Sequence, residues 1–522
     1  MGRISIVLLA LAIVMSPVTV PIGGVHVSTV NLASAQTEVP SLQDPDLQVA
    51  TVVTGLSMPI AMAFIGPHDL LVTEKASGQV KRIVDRAVHS VVLDLAVNSA
   101  SERGLLGIAL HPDFPANPGV YLYHTESTTG ADTTVLSETP LLGNRVDRFT
   151  WDGSTLVFDR NIIKLRAFQN DRNMVTDPAN PQNNPDPLQR GNHDGGVIRF
   201  GPDRRLYIII GDVGRRGWLQ NNLMGPVPDD EFGGPEPDDA HLTGVILRLR
   251  SDGSTPIDNP FYVLGLLIRK LIGGALGQEL GTNIQRLFAY GIRNSFGMTF
   301  DPQGKALWIT ENGGRAFDEI NRIDPGHNGG WIQIMGPLDR VEDYKTIEVD
   351  AGIGPTGPNG LQQLRWPATN IADTPEEARQ RLFRLPGSHY RDPEFSWKHV
   401  VPPAALGFVK GNGLGEQYKG DLIVGSAVFR PTVAPPSVMA NPGHLYRFRL
   451  NEARNAFVFQ DPLLQDKVAD NTGRDDFVTE GQEILFGTNF GIVTDIQTGP
   501  DGCLYLVSPS QEAVLKIFRS ND

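Results

Sequence analysis

One cysteine, Cys503, stands in 522 residues. A single thiol excludes an intrachain disulfide and any cysteine-based zinc or iron–sulfur site. Basic charge is also short: 45 Lys+Arg face 59 Asp+Glu, a net charge of -14. That balance argues against a nucleic-acid binder, which needs a basic face to displace counterions, and against docking on anionic lipid. What the chain does have is turn chemistry. Its 56 Gly and 39 Pro fit many turns and short strands rather than a helical bundle. The 40% hydrophobic content suffices for a large core and rules out wholesale disorder.

The first 35 residues read as a secretory signal. Arg3 precedes the apolar run Ile4 to Met15, and Ala33-Ser34-Ala35 offers small residues for cleavage. The run is far short of the ~20 residues that span a bilayer. An uncleaved N-terminal anchor is the competing reading. Export puts the protein in the periplasm or outside the cell, with 36–522 as one domain and no integral span after cleavage.

A short unit then recurs: a Pro, Asp and Gly turn followed by an apolar strand. It appears as Gly66-Pro67-His68-Asp69 before Leu70–Glu74, as His111-Pro112-Asp113 before Val120–Tyr123, and as Gly201-Pro202-Asp203 before Leu206–Ile210. It returns as Asp301-Pro302-Gln303-Gly304 before Leu307–Thr310, as Lys419-Gly420-Asp421 before Leu422–Val424, and as Gly499-Pro500-Asp501-Gly502 before Leu504–Val507. Six units at roughly 80 residues predict an all-β, six-bladed β-propeller of four-stranded antiparallel blades. A β-sandwich with coincidental turns is the alternative. Ligands in such a fold sit at the central channel, on loops from several blades. Gly214 to Asp239 reads as a loop. The apolar stretch Tyr262 to Leu280, weakened as a helix by its glycines, reads as a lid or a packing helix.

Polar chemistry gathers in three stretches. Asn192-His193-Asp194-Gly195-Gly196 is followed by Asp212. A His can take a proton near neutral pH and a carboxylate can orient it, although a His in a glycine loop is more often structural. Arg293-Asn294 offers a planar fork of donors beside an amide, or simply braces a turn. Thr310–Asn321 sets Asn312, Gly313, Gly314, Asp318 and Glu319 in a tight loop, suited to Ca²⁺ or to plain solvation. Cys503 reads as a buried small hydrophobe and His111 as a turn tie. Trp308 and Trp331 read as packing between blades, with Trp331 or Trp218 as alternative linings of a cleft.

Together with Gly104–Phe114, His241–Arg248 and Asp258-Asn259-Pro260-Phe261, these stretches resemble the soluble quinoprotein glucose/sorbosone dehydrogenases, the PQQ-dependent aldose sugar dehydrogenases. The resemblance runs from about Gln48 to the C-terminus. It implies a six-bladed propeller that oxidises an aldose at the anomeric carbon to a lactone and passes electrons to an acceptor it does not identify. It implies His193 as general base, Asp212 as its supporting acid, and Arg293, Asn294 and Asn312 as PQQ contacts, with Arg293 stabilising charge on the reduced quinone. Carbonyls of Gly313 and Gly314 would hold Ca²⁺, and Glu319 would serve a separate structural Ca²⁺. A homodimer is compatible with it.

The departures lie where the family carries cations for the PQQ carboxylates. Val428, Ile492 and Thr494 stand there, and Phe296 replaces a Gln. Lys398, Lys410 and Arg430 are the candidate substitutes. Two alternatives follow: a secreted propeller that has lost PQQ and serves as a binding module, or a lactonase-like hydrolase with Glu74, Asn294, Asn312 and Asp212 around one Ca²⁺.

Overall fold

The computed structural model describes residues 39–168, 192–214, 242–354, 357–358, 368–427, 443–472 and 479–520. The signal segment, the loop after Gly214, Trp218, His241, Val428 and Arg430 lie outside the described residues.

Antiparallel meanders of a propeller build the fold. One runs Pro59–Gly66, Asp69–Glu74, Gln79–Val84 and Ala87–Asp94. The next runs Leu105–Leu110, Gly119–Thr125, Asn144–Trp151 and Leu156–Leu165. The plan repeats from Ile198–Phe200, from Met298–Phe300 and from Pro403–Phe408. The last sheet runs Asp495–Thr498, Leu504–Ser508 and Ala513–Arg519. Its fourth strand, Leu47–Val53, comes from the other end of the chain.

Four-stranded meanders form as expected. Each meander has four antiparallel strands, but three sheets grow at the outer edge. The sheet beginning at Ile198 adds His327–Asn328 and His389–Tyr390 in parallel, that at Met298 adds Val468–Ala469, and that at Pro403 adds Ser41–Leu42. Insertions returning along those edges pair backbone groups that would otherwise stand open.

Second strands are buried on both sides, which explains their unbroken apolar sequence. Every residue of Leu206–Ile210 is buried, packed between Tyr121 and Ile198 on one side and Ile246 and Ile309 on the other. Aromatic rings fill the space between the sheets that begin at Met298 and Pro403: Trp308, Phe395, Trp397, Phe408 and Phe448 share one cluster.

The repeated turn joins each innermost strand to the second strand. Its Asp accepts from a cation on the third strand of the same sheet in four cases: Asp69 from Arg82 at 2.6 Å, Asp203 from Arg248 at 2.8 Å, Asp421 from Arg447 at 2.6 Å and Asp501 from Lys516 at 2.6 Å. At Asp301 the cation is Arg454, from the neighbouring sheet, at 2.8 Å. Half-exposed pairs of this kind add ~0–1 kcal/mol each, so their effect is to fix the turn's register. These turns lie at the end of the sheets opposite the starts of the innermost strands.

The apolar stretch forms two helices, α1 (Tyr262–Ile272) and α2 (Gly274–Arg286), broken at Gly273 with φ +67°. A Cβ on Gly265 would meet the Gly281 carbonyl oxygen at 2.3 Å, so the glycines that weaken each helix let the two touch. The pair joins the third and fourth strands of the Ile198 sheet and packs on its outer flank through Leu264, Ile268, Leu280 and Ile284. It is a packing pair and not a lid. Among the described residues, no helix is long and apolar enough to cross a membrane.

Candidate functional site

Innermost strands begin at one end of the sheets, and second strands finish there. Residues just before the former or just after the latter therefore converge. Glu102 precedes Leu105, His193 precedes Ile198 and Asn294 precedes Met298; Asp212 follows Ile210 and Asn312 follows Glu311.

His193 is buried, with left-handed backbone at φ +64°. The glycines after it allow that fold. A Cβ on Gly195 would meet the Ile209 carbonyl oxygen at 2.6 Å, and one on Gly196 would meet Leu106 Cβ at 2.5 Å. Holding a His there costs ~1–3 kcal/mol, and the surrounding contacts offset it. Its Nδ1 lies 2.6 Å from Asp212 Oδ1. Its backbone N–H donates to Glu102 Oε2.

Asp212 is fully buried and held on both oxygens. Trp331 Nε1 donates to Oδ2 at 2.9 Å, and Gly214 N to Oδ1 at 2.9 Å. An ionised Asp so placed requires Nδ1–H on His193 and leaves Nε2 as the basic nitrogen.

Arg293 completes the group. Its guanidinium lies 5.4 Å above the Trp331 ring, and Nη1 donates to the Asn312 carbonyl at 2.8 Å. Its backbone N–H donates to Glu311 Oε1 at 2.7 Å. Asn294 Nδ2 reaches Glu102 Oε2 at 3.3 Å, and Asn312 Nδ2 donates to the Pro403 carbonyl at 2.9 Å. Among the described residues, Arg293 Nε, Asn294 Oδ1 and Asn312 Oδ1 are buried with no hydrogen-bond partner. Unpaired buried polar groups are costly, so the spot suits a polar ligand offering both donors and acceptors.

Thr310–Asn321 is not one tight loop but the ends of two paired strands joined by residues 312–315, and it is tied below. Asn321 Nδ2 donates to Glu319 Oε2 at 2.7 Å and to Glu311 Oε2 at 3.1 Å, while Gly336 N donates to Glu319 Oε1 at 2.6 Å. Burial raises both carboxyls, Glu319 to about 7 and Glu311 well above the usual range, where Glu319 adds to the effect. Gly313 N donates to Asp318 Oδ1 at 2.8 Å, and a Cβ on Gly314 would meet the Glu348 carboxylate at 2.7 Å. Among the described residues, no group of three or more His, Cys, Asp or Glu side chains could hold a metal ion.

His193, Asp212, Arg293, Asn294 and Asn312 therefore join one contact network through Trp331 and Glu102, and Gly313 and Gly314 follow Asn312 in the chain. Glu319 stands one layer behind, linked to Arg293 through Asn321 and Glu311. Sequence reasoning missed Glu102 and the site role of Trp331. Glu102 was readable as the residue before an innermost strand, the same position as His193 and Asn294. Trp331 is fully buried; it neither lines a cleft nor merely packs.

The expected cation positions are spent otherwise. Thr494 Oγ1 donates to the Ile60 carbonyl at 2.7 Å, and Ile492 N donates to Ser510 Oγ at 2.7 Å. Lys398 pairs with Asp343 at 3.2 Å. The set drawn for a hydrolase does not converge on a metal either, since Glu74 is held by Ser57 N at 2.7 Å, Ser77 at 2.9 Å and Lys81 at 3.0 Å.

Comparison with known proteins places this arrangement. The chain is 28% identical over 298 residues to quinoprotein glucose dehydrogenase B of Acinetobacter calcoaceticus, covering 55% of this chain and 53% of that protein. It is 28% identical over 304 residues to an uncharacterised protein of Synechocystis, covering 56% and 61%. The chain thus spans well under two thirds of these relatives' own length. Among solved structures, the PQQ-bound aldose sugar dehydrogenase of Streptomyces coelicolor aligns over 92% of this chain and 99% of its own, with 20% identity and a TM-score of 0.53. The apo soluble aldose sugar dehydrogenase of Escherichia coli aligns over 91% and 100%, with 19% identity and a TM-score of 0.55. At that identity the likeness shows the fold. The Glucose / Sorbosone dehydrogenase model matches residues 56–349, more than half of the chain and the stretch that holds every residue of the network from Glu102 to Trp331, and the chain belongs to that family.

Proposed function

We propose that the chain oxidises an aldose sugar at its anomeric carbon to a lactone, at the end of the sheets where the innermost strands begin. The observation that carries this reading is the buried His193–Asp212 pair beside three unsatisfied polar atoms of Arg293, Asn294 and Asn312. Those atoms fit the polar reacting edge of PQQ. When bound, PQQ supplies the acceptor for the two electrons and the hydrogen that leave the anomeric carbon.

The chain's own residues handle the proton and the charge. His193 Nε2 takes the proton of the anomeric hydroxyl, and Asp212 stabilises the resulting imidazolium through Nδ1–H. Trp331 and Gly214 keep Asp212 from turning away. Arg293, held in place by Trp331 and the Asn312 carbonyl, would stabilise the negative charge that develops on the reduced cofactor. Carbonyls of Gly313 and Gly314 would hold Ca²⁺ with PQQ supplying further ligands. Glu319 serves a structural Ca²⁺ only if that ion displaces Asn321 and Gly336. In this reading the protein is exported and passes electrons to a separate acceptor.

Ile492 and Thr494 favour a second reading, a binding module without PQQ, since three carboxylates need cationic partners worth on the order of 1–3 kcal/mol each. Calorimetric titration of PQQ into folded protein, with Ca²⁺ and after chelation, separates the two. Calcium-dependent binding tighter than about 1 μM is expected, followed by aldose turnover with an artificial acceptor. No binding at roughly 100 μM would leave the module.

A further inference from the structure

We propose that the α1–α2 hairpin is a docking element that seats the chain on an anionic bilayer surface. The helices use one side to pack: Leu264, Ile268, Leu280 and Ile284 face the core. The other side is apolar and open. Val263 is 66% exposed, Leu266 45%, Leu267 50% and Leu271 81%, a stripe at helical spacing along α1. Ile272 at 52% and Leu276 at 44% carry it across the break at Gly273 into α2.

Together these six side chains expose roughly 600 Å², at the upper limit of the largest apolar patch on a typical monomer. That is short of the ~800 Å² each partner buries in a standard protein complex. A bilayer interface has no such minimum, and an amphipathic helix can lie in it with its apolar side immersed. The close approach at Gly265 and Gly281 holds the two helices against each other.

Charge points to anionic lipid. α1 has Arg269 and Lys270 and no acid, and α2 adds Arg286 against Glu279 alone. This is the reverse of the chain's balance of -14. That total alone opposes binding to anionic lipid. Repulsion from distant acids is screened over ~8 Å at physiological salt, whereas the exposed Lys270 would lie at the surface itself. Lys270, exposed between Leu267 and Leu271, can keep its head among the phosphates while its stem lies along the apolar stripe. The hairpin is a connection at the end of its sheet opposite the site, so docking through it leaves the site open to water.

Flotation of the full chain with vesicles tests this. It should float with mixed phosphatidylcholine–phosphatidylglycerol vesicles and at least about fivefold less with phosphatidylcholine alone, the factor expected of about one basic residue at the surface. The double variant Leu267→Glu/Leu271→Glu should lose flotation with unchanged thermal unfolding, because both side chains are exposed. Lys270→Glu should abolish the preference for the anionic vesicles. Failure of the wild-type chain to float with either vesicle would overturn the proposal. So would self-association in light scattering that the double variant dispels, which would make the stripe a contact between copies.

Discussion

His193 is fixed from two directions, by Asp212 at Nδ1 and by Glu102 at its backbone N–H. Asp212→Asn keeps the shape of the pair but removes the charge that stabilises imidazolium, and its new N–H₂ would confront Trp331 Nε1 or the backbone donor. A fall in kcat of about 10²- to 10⁴-fold is expected, similar to His193→Ala, with thermal stability the control. His327 offers a separate residue-scale test. It is buried, its two ring nitrogens have no hydrogen-bond partner, and its pKa is lowered to about 3, by burial first and then by Arg391, His389 and Arg322. The unfolded chain protonates this group near 6.5 and the folded chain only near 3. Stability is therefore fully present above about pH 6.5 and lost as pH falls toward 3, at about 1.4 kcal/mol per unit. Urea midpoints at pH 7 and pH 5 should differ by about 2 kcal/mol from this group, and His327→Phe should remove that share of the difference.

At the scale of elements, a single methyl group tests the helix pair. In Gly265→Ala the new Cβ would meet the Gly281 carbonyl oxygen at 2.3 Å, and backbone cannot move aside as a side chain can. The hairpin should lose about 1–3 kcal/mol, seen as faster amide exchange confined to α1 and α2. This pair also marks how far sequence reaches. The repeated turns were legible because a tight connection between two strands demands Pro, Gly and Asp at fixed places. The packing helix was legible as one of two readings, but its pairing was not, because the glycines that read as breakers are spacers for a neighbour 16 residues away. Asp212, 19 residues after His193, could be matched by its motif. Glu102 could be placed only by its position before an innermost strand, and Trp331 not at all, because their partners lie 91 and 119 residues distant and only closure of the sheets brings them together. Extra edge strands escaped for the same reason, being set by where insertions return.

At the scale of the whole molecule, closure rests on joints between the ends of the chain. Leu47–Val53 completes the sheet begun by Asp495–Thr498, and Asp495 reaches further than any strand. Its Oδ2 accepts from Met62 N at 2.9 Å, in the sheet at the start of the chain. Its Oδ1 accepts from Arg199 Nη2 at 2.6 Å, in the sheet begun by Ile198, and Arg199 also reaches the Ile108 carbonyl. One carboxylate, 2% exposed, thus ties three sheets that are remote in sequence. A buried carboxylate stripped of its cation loses far more than an exposed pair contributes. Arg199→Ala should therefore cost about 3–5 kcal/mol, read from urea midpoints. Asp495→Ala should also destabilise, by leaving Arg199 and Met62 N without their acceptor. The double variant decides what the pair does. If the two groups act as one joint, its loss falls well short of the sum of the single losses, because removing the second partner also removes the stranded charge. If the losses simply add, Arg199 and Asp495 brace their own sheets independently, and closure depends on the Leu47–Val53 strand and on ties such as that of Thr494 to the Ile60 carbonyl.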